Sequence, residues 1–211
     1  MARHRRGRCR ERGSSLTRSA ADPLVPLWLK IAVTAFVAFL VPVYYRWWGP
    51  RNFLWFSDLA LLATVPALWL ESGFIASAVT VAVLLPEVVW NVGYFGRLVS
   101  GRYMGSLAAY MFDARKPRYV RALSLFHVWL PPLLLWLVYR LAYDERAWIV
   151  TTIVAWVVLP FTWLVTERGE ESVNWVYGPE RIAPLAWLAI VMLAFPLLVY
   201  LPTHLLLRAL F

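Results

Sequence analysis

The apolar residues of this chain come in long uninterrupted blocks, not in the two- or three-residue rhythm of strands and surface helices. Each block is close to the roughly 20 residues that an α-helix needs to cross the hydrocarbon core of a bilayer. We therefore expect an all-α fold, a polytopic transmembrane helix bundle. The pattern predicts six spans, at 24–45, 53–70, 74–95, 122–140, 147–166 and 184–207.

Composition agrees with this pattern, because 61% of the 211 residues are hydrophobic and 13 are Trp, well beyond what soluble domains carry. The single cysteine, Cys9, excludes a disulfide framework and a cysteine-based metal site. We expect one bundle domain over 23–211, preceded by a disordered basic tail over 1–22 that is rich in Arg and Ser. The basic residues of tail and loops face lipid headgroups in this interpretation, and we expect no nucleic-acid partner and no cofactor.

Every predicted span contains an internal proline, which removes one backbone hydrogen bond and leaves the carbonyl four residues earlier unpaired. Within lipid such a carbonyl needs a new donor from a neighbouring helix, a hydroxyl or a water. Pro131 frees the carbonyl of His127 in this way. The prolines predict kinked, tightly packed helices.

The long connection at 96–121 contains the stretch "RYMGSLAAYMFDARK", whose apolar part is too short to cross a bilayer. It predicts an interfacial helix. The odd-numbered loops carry most of the Lys and Arg outside the tail, which places those loops in the cytoplasm by the positive-inside rule. The basic tail lies on the other side and opposes this orientation.

Five polar residues fall at a similar depth on the side of the odd-numbered loops, because successive spans alternate in direction. Ser57 and Asp58 begin the second predicted span, Glu87 and Asn91 lie towards the end of the third, and His127 begins the fourth. At about 1.5 Å per residue, three of them lie roughly 5–8 Å inside the boundary. Glu87 and Asn91 are four residues apart and share a helix face.

Carboxylates inside a membrane span are costly and indicate function by default. Ser57 could act as a nucleophile and His127 as its general base, with Asp58, Glu87 or Asn91 orienting His127 or binding the oxyanion that develops. At the interface such a site meets acyl chains and headgroups together. We therefore expect membrane lipids as partners, and ester hydrolysis or acyl transfer as the reaction. The chain has no G-x-S-x-G elbow.

Each of these residues also has a structural interpretation. A single histidine within a span is more often a hydrogen-bonded packing residue than a catalyst, and a lone Ser57 is an ordinary helix-packing residue. Glu87 and Asn91 could repair the backbone at Pro86. A non-enzymatic structural or assembly protein is therefore the main alternative.

Two further alternatives use the same residues. His127, Asp58 and Glu87 could ligate a metal ion, although catalytic zinc prefers two or three histidines and this side of the membrane offers one. The same three residues could relay protons in a transporter. The opposite half of the spans lacks comparable carboxylates, and His204 lies at that other face.

The stretches "WGPRNFLWFSDLALL", "YMFD", "LSLFHVWLPPLLLW" and "LPTHLLL" resemble those of a bacterial family of six-span integral-membrane proteins. This resemblance extends over the whole chain. It implies the six-span fold and a place in the bacterial inner membrane, and it implies no activity.

A more distant resemblance covers about 25 residues. "FLWFSDLALL" followed by "LSLFHVWLPPLLL" is similar to two related six-span groups, the androgen-induced-gene group of fatty-acid-ester hydrolases and a transmembrane acyltransferase group. By position, Ser57 stands where the acyltransferases have a nucleophilic Cys, and Asp58 and His127 match that group's Asp and His. The Thr that the hydrolases use falls on Trp55. The resemblance implies acyl chemistry at Ser57 and His127.

Overall fold

The structure is a computed structural model that describes residues 24–102, 105, 107–168 and 172–211. The basic tail predicted over 1–22 lies outside the described residues. Three short 3-10 turns, Pro50–Leu54, Ala109–Phe112 and Val173–Trp175, connect the helices, and a π-helical segment, Phe195–Tyr200, joins the last two. The α-helices are α1 (Leu27–Trp48), α2 (Phe56–Trp69), α3 (Gly73–Ser100), α4 (Arg118–Leu123), α5 (Phe126–Leu141), α6 (Ala147–Val165), α7 (Pro184–Ala194) and α8 (Leu201–Leu210).

Five helical stretches in the described part of the chain are long and apolar enough to cross a membrane. They are α1, α3, α4 with α5, α6, and α7 with the π-helical segment and α8. The remaining helix, α2, has 14 residues and is therefore about 21 Å long, shorter than a hydrocarbon core of about 30 Å. The predicted count of six spans is thus not confirmed. The predicted prolines do lie inside the helices, and kinking at them stays a prediction.

Helix α3 lies at the centre of the bundle and packs against α2, α5 and α6. Half of its most apolar stretch is buried, against 28% for α1, α6 and Pro184–Leu210. Side chains on the outer helices remain exposed although they are large and apolar, among them Leu164 at 71% and Leu198 at 70%. Water-soluble monomers rarely expose continuous apolar surface of this kind. The outer surface therefore indicates a membrane protein.

The connection between α3 and α4 differs from its prediction. In its described part, 105 and 107–116, it forms the 3-10 turn Ala109–Phe112 and no interfacial helix. Ala108 and Met111 are buried against Trp90 of α3. The apolar side chains of this stretch are thus satisfied by packing on the bundle, which removes the reason for a separate amphipathic helix.

A cluster of polar contacts ties the start of α1 to the turn between α2 and α3. Glu71 accepts hydrogen bonds from the backbone N–H of Leu24 (3.0 Å) and of Val25 (3.3 Å). It also forms an ion pair with Lys30, whose Nζ lies 2.7 Å from Oε1. The hydrogen bond from Lys30 is the main cause that lowers the pKa of Glu71 below its usual 4.5, and the two backbone donors lower it further.

This ion pair predicts a pH-dependent stability. Because the pKa of Glu71 is lower in the folded chain, its stabilisation is complete above the unfolded pKa of 4.5 and is lost as the pH falls through the folded pKa. Thermal unfolding is measured in detergent at about pH 6 and pH 3. The decrease in stability between these two pH values should be smaller for Glu71→Gln than for the unaltered protein. Glu180→Gln, at an exposed loop position, serves as the control. Its stability should decrease on acidification as much as that of the unaltered protein. An equal acid loss in all three proteins would contradict the prediction.

Candidate functional site

One cavity of about 320 Å³ opens where α1 ends and α2 and α5 begin, beside the second half of α3. Four of the five predicted site residues line it: Ser57, Asp58, Glu87 and His127. The convergence that helix depth predicts is therefore present in the structure. The other lining residues are Tyr44, Trp48, Asn52, Trp55, Phe56, Val83, Pro86, Trp90, Leu107, Tyr110, Ser124, Ser172, Asn174, Trp175 and Phe195.

The imidazole of His127 is held on one edge and on both faces. Its Nδ1 lies 2.8 and 3.0 Å from the two carboxylate oxygens of Glu87, and its ring stacks on Phe126 (4.0 Å between centroids) and Trp90 (4.6 Å). The side chain of Glu87 is only 2% exposed. With Nδ1–H donating to the carboxylate, Nε2 is the nitrogen left with a lone pair to accept a proton. Glu87, and neither Asp58 nor Asn91, is thus the residue that orients His127.

Asn91 does not line the cavity. It stabilises the backbone of two residues that do. Its Nδ2 donates to the carbonyl of His127 (2.7 Å) and to that of Glu87 (2.8 Å). The first of these is the carbonyl that Pro131 leaves unpaired, so Asn91 supplies the donor that the proline makes necessary. Because both hydrogens of its amide are occupied, Asn91 is not available to bind an oxyanion as the sequence suggested. It is a positioning residue for the Glu87–His127 pair.

Asp58 is a buried carboxylate in the lining of the cavity, 5% exposed. Its Oδ2 accepts a hydrogen bond from Asn52 (3.1 Å). Its Oδ1 is buried and has no hydrogen-bond partner among the residues that the structure describes. One acceptor oxygen of the cavity is therefore unused.

Ser57 lies in the first turn of α2 and lines the cavity, half-buried. Among the described residues no hydrogen bond joins its hydroxyl to His127. A second serine, Ser124, also lines the cavity, one turn before His127 and 2% exposed. Its Oγ lies 2.6 Å from the phenol oxygen of Tyr44. The cavity thus offers three serine hydroxyls. Ser124 is bonded to a phenol and Ser172 to the carbonyl of Tyr177 (3.1 Å), which leaves the hydroxyl of Ser57.

Asn174 fixes the start of α2, which carries both Ser57 and Asp58. Its Oδ1 accepts a hydrogen bond from the backbone N–H of Phe56 (3.1 Å), and its Nδ2 donates to the carbonyl of Leu54 (2.7 Å). The residue is 1% exposed and has a φ of 51°, in the left-handed region that Asn tolerates better than most residues. The helix end that presents the candidate nucleophile therefore depends on a residue far along the chain.

Sequence reasoning missed Tyr44, Ser124 and Tyr110. The first two lie at the odd-loop ends of their spans, so the depth argument that found His127 could have found them. Tyr110 comes from the connection after α3, and no sequence signal places it in the cavity. Burial raises the pKa of the Tyr110 phenol, and nearby Tyr44 and Asp58 add to that rise. The cavity is consequently more aromatic and richer in hydroxyl groups than the sequence suggested.

His204 lies at the other end of the bundle, as predicted. Its Nδ1 is 2.7 Å from the phenol oxygen of Tyr143, and neither residue lines the cavity. Among the residues that the structure describes, no three His, Cys, Asp or Glu side chains are arranged to hold a metal ion. The alternative of a metal site at His127, Asp58 and Glu87 therefore has no ligand set in the described chain.

Comparison with protein-family models, with curated proteins and with solved structures yields no match for this chain. The cavity is therefore the basis for assigning a function. Its features are an oriented imidazole, a half-buried serine, a carboxylate with one unpaired oxygen and walls rich in aromatic side chains.

Proposed function

We propose that this protein is an enzyme of the bacterial inner membrane that hydrolyses or transfers the acyl group of a lipid ester. The observation that carries the proposal is the Glu87–His127 pair, 2.8 Å apart in the wall of a cavity that also contains Ser57. A carboxylate that orients a histidine beside a hydroxyl is the arrangement that activates serine nucleophiles on unrelated folds. A buried carboxylate and an imidazole are costly in an apolar bundle, and residues of this kind commonly mark functional sites.

In the proposed reaction the hydroxyl oxygen of Ser57 attacks the carbonyl carbon of the ester, and Nε2 of His127 accepts the hydroxyl proton. Collapse of the tetrahedral intermediate breaks the ester bond, and His127 returns the proton to the leaving alkoxide. The acyl group then resides on Ser57. Water, or the hydroxyl of an acceptor lipid, attacks this acyl-serine while His127 takes its proton and passes it back to Ser57. The products are a carboxylic acid or a new ester.

The indole of Trp90 is the candidate donor to the oxyanion. Trp90 lines the cavity, and its buried Nε1 lies near the phenol of Tyr110 without a well-aligned hydrogen bond among the described residues. A buried donor without a partner loses free energy, and a developing negative charge is a partner that would recover it. The stack of Trp90 on His127 places this donor on the same side of the cavity as the base.

The hydroxyl of Ser57 and the imidazole of His127 share the cavity without a direct hydrogen bond in the unliganded chain. Such contacts are often long before substrate binds and tighten in the Michaelis complex. We take Ser57 as the nucleophile because Ser124 is bonded to Tyr44 (2.6 Å). The distant resemblance to a transmembrane acyltransferase group supports the same choice.

Labelling with a fluorophosphonate probe tests the nucleophile. The protein in nanodiscs should become labelled, and Ser57→Ala and His127→Ala should each abolish labelling because the first removes the attacking oxygen and the second its base. Ser124→Ala, which alters a second serine of the cavity, should keep most of the labelling. Ser100→Ala, an exposed serine at the end of α3, is the matched control and should label normally.

Two outcomes would overturn the proposal as stated. Labelling that survives Ser57→Ala and disappears in Ser124→Ala would move the nucleophile to Ser124. Absence of labelling in every folded sample would remove the serine mechanism. The alternative that the polar residues tie helices together would then lead, since Asn91 and Asn174 already form such ties.

A further inference from the structure

Two carboxyl groups line the cavity without a matching basic side chain in its described lining. Asp58 and Glu87 are both in the lining, and His127 is its only other strongly titratable member, since no Lys or Arg is among the described lining residues. If His127 is neutral, as a general base must be, the Glu87–His127 pair keeps the charge of its carboxylate. The cavity is therefore suited to a cation.

Asp58 is the residue that the proposed mechanism does not use. It is 5% exposed, one of its oxygens accepts from the neutral amide of Asn52, and the other, Oδ1, has no partner among the described residues. A buried carboxylate oxygen is costly to leave unpaired, and a cation in hydrogen-bond or contact distance offsets that cost. The unpaired Oδ1 thus marks a position for a positive charge.

Aromatic side chains form another part of the cavity wall. Trp48, Trp55 and Trp175 line the cavity, together with Tyr44 and Tyr110. The rings of Trp55 and Trp175 meet edge to face at 6.0 Å. The negative faces of such rings attract cations, and cages of this type recognise quaternary ammonium groups.

Trp48 already shows this behaviour within the chain. The ammonium group of Lys116 lies 3.7 Å from the centroid of the Trp48 ring. The ring of this cavity-lining tryptophan thus already attracts one ammonium group of the chain, and Trp55 and Trp175 remain for a ligand. An inorganic cation fits less well, because the described residues offer no set of three metal-ligating side chains.

We propose that the cavity binds an organic ammonium group, with Asp58 as its counter-ion and the tryptophan faces as its cage. The inference rests on the proposed function in one respect, namely that the ammonium group belongs to the acyl donor or acceptor. A volume of about 320 Å³ is at the lower end of ligand cavities and suits a group the size of choline or ethanolamine. The group can come from a lipid headgroup or from a free amino alcohol, which share this chemistry.

Binding of choline, measured by isothermal titration calorimetry, tests the inference without any turnover. The protein is placed in nanodiscs of phosphatidylglycerol, which has no ammonium group. The competitor series contains choline, its uncharged isostere 3,3-dimethyl-1-butanol, and glycerophosphocholine. Choline should bind at least about tenfold more tightly than the isostere, because only the charge differs between them.

Asp58→Asn keeps the shape of the side chain and removes its charge. It should weaken the binding of choline at least about tenfold and change the binding of the isostere little. Tighter binding of glycerophosphocholine than of choline would identify a lipid headgroup as the source of the ammonium group. Tighter binding of choline would identify a free amino alcohol as the source.

Equal binding of choline and its isostere to the unaltered protein would overturn the inference, even if Asp58→Asn failed to fold. So would choline binding that Asp58→Asn leaves unchanged. Because this measurement does not involve Ser57, a failure of serine labelling and a failure of ammonium binding are separate results.

Discussion

Glu87→Gln should slow fluorophosphonate labelling of Ser57 by about 10²- to 10⁴-fold. The glutamine amide can still accept from Nδ1–H of His127 at the 2.8 Å contact, so the ring stays near its position. What is lost is the carboxylate charge that stabilises the imidazolium formed when His127 accepts the proton. An amide can also donate to the ring and favour the tautomer with its proton on Nε2, where it blocks base catalysis. The second-order rate constant of labelling measures the effect.

Glu145→Gln is the matched control for this substitution. Glu145 is exposed and pairs with Arg208 at 3.1 Å, outside the cavity, so its loss should leave the labelling rate unchanged. Glu87→Asp keeps the charge but shortens the side chain. Its labelling rate should lie between those of Glu87→Gln and the unaltered protein. A folded Glu87→Gln protein that labels at the normal rate would show that Glu87 only packs beside His127.

Asn174→Ala should destabilise the bundle by about 2–6 kcal/mol, because one buried and one part-buried backbone group lose their partners at about 1–3 kcal/mol each. These groups are the N–H of Phe56 and the carbonyl of Leu54. Alanine also tolerates the φ of 51° less well than asparagine. Since Phe56 precedes Ser57 at the start of α2, the same change should slow serine labelling. Thermal unfolding in detergent and labelling kinetics measure the two effects.

Asn174→Gly separates the two causes. Glycine accepts a positive φ without strain but makes neither hydrogen bond. Asn174→Gly should therefore be more stable than Asn174→Ala and clearly less stable than the unaltered protein. Stability equal to that of the unaltered protein in both variants would mean that Leu54 and Phe56 find other partners. Equal loss in Ala and Gly would assign the whole effect to the hydrogen bonds.

Much of the site could be predicted from distance along the helices. Depth in a span depends on residue number and on the rise of about 1.5 Å per residue, and both are available from sequence. Ser57, Glu87 and His127 were therefore placed on the same side before their contacts were known. The unpaired carbonyl of His127 was predictable too, because Pro131 has no N–H whatever its surroundings.

The division of roles among the polar residues was not predictable in this way. Asp58, Glu87 and Asn91 were equivalent candidates to orient His127, and the structure brings only Glu87 to its Nδ1. That choice depends on how far each helix is rotated about its axis, which is set by packing between helices. Packing also decided that Asn91 meets a carbonyl of the neighbouring helix.

The sequence by itself determined that the chain forms long apolar helices and that its polar residues share one level, because hydrophobic length and helical rise are local properties. Only the tertiary structure decided that α2 is short, that Tyr110 enters the cavity from a connection, and that Asn174 holds a helix end more than a hundred residues earlier. These features depend on contacts between segments distant in sequence, and their free energy comes from satisfying buried polar groups across those contacts. No local pattern carries that information.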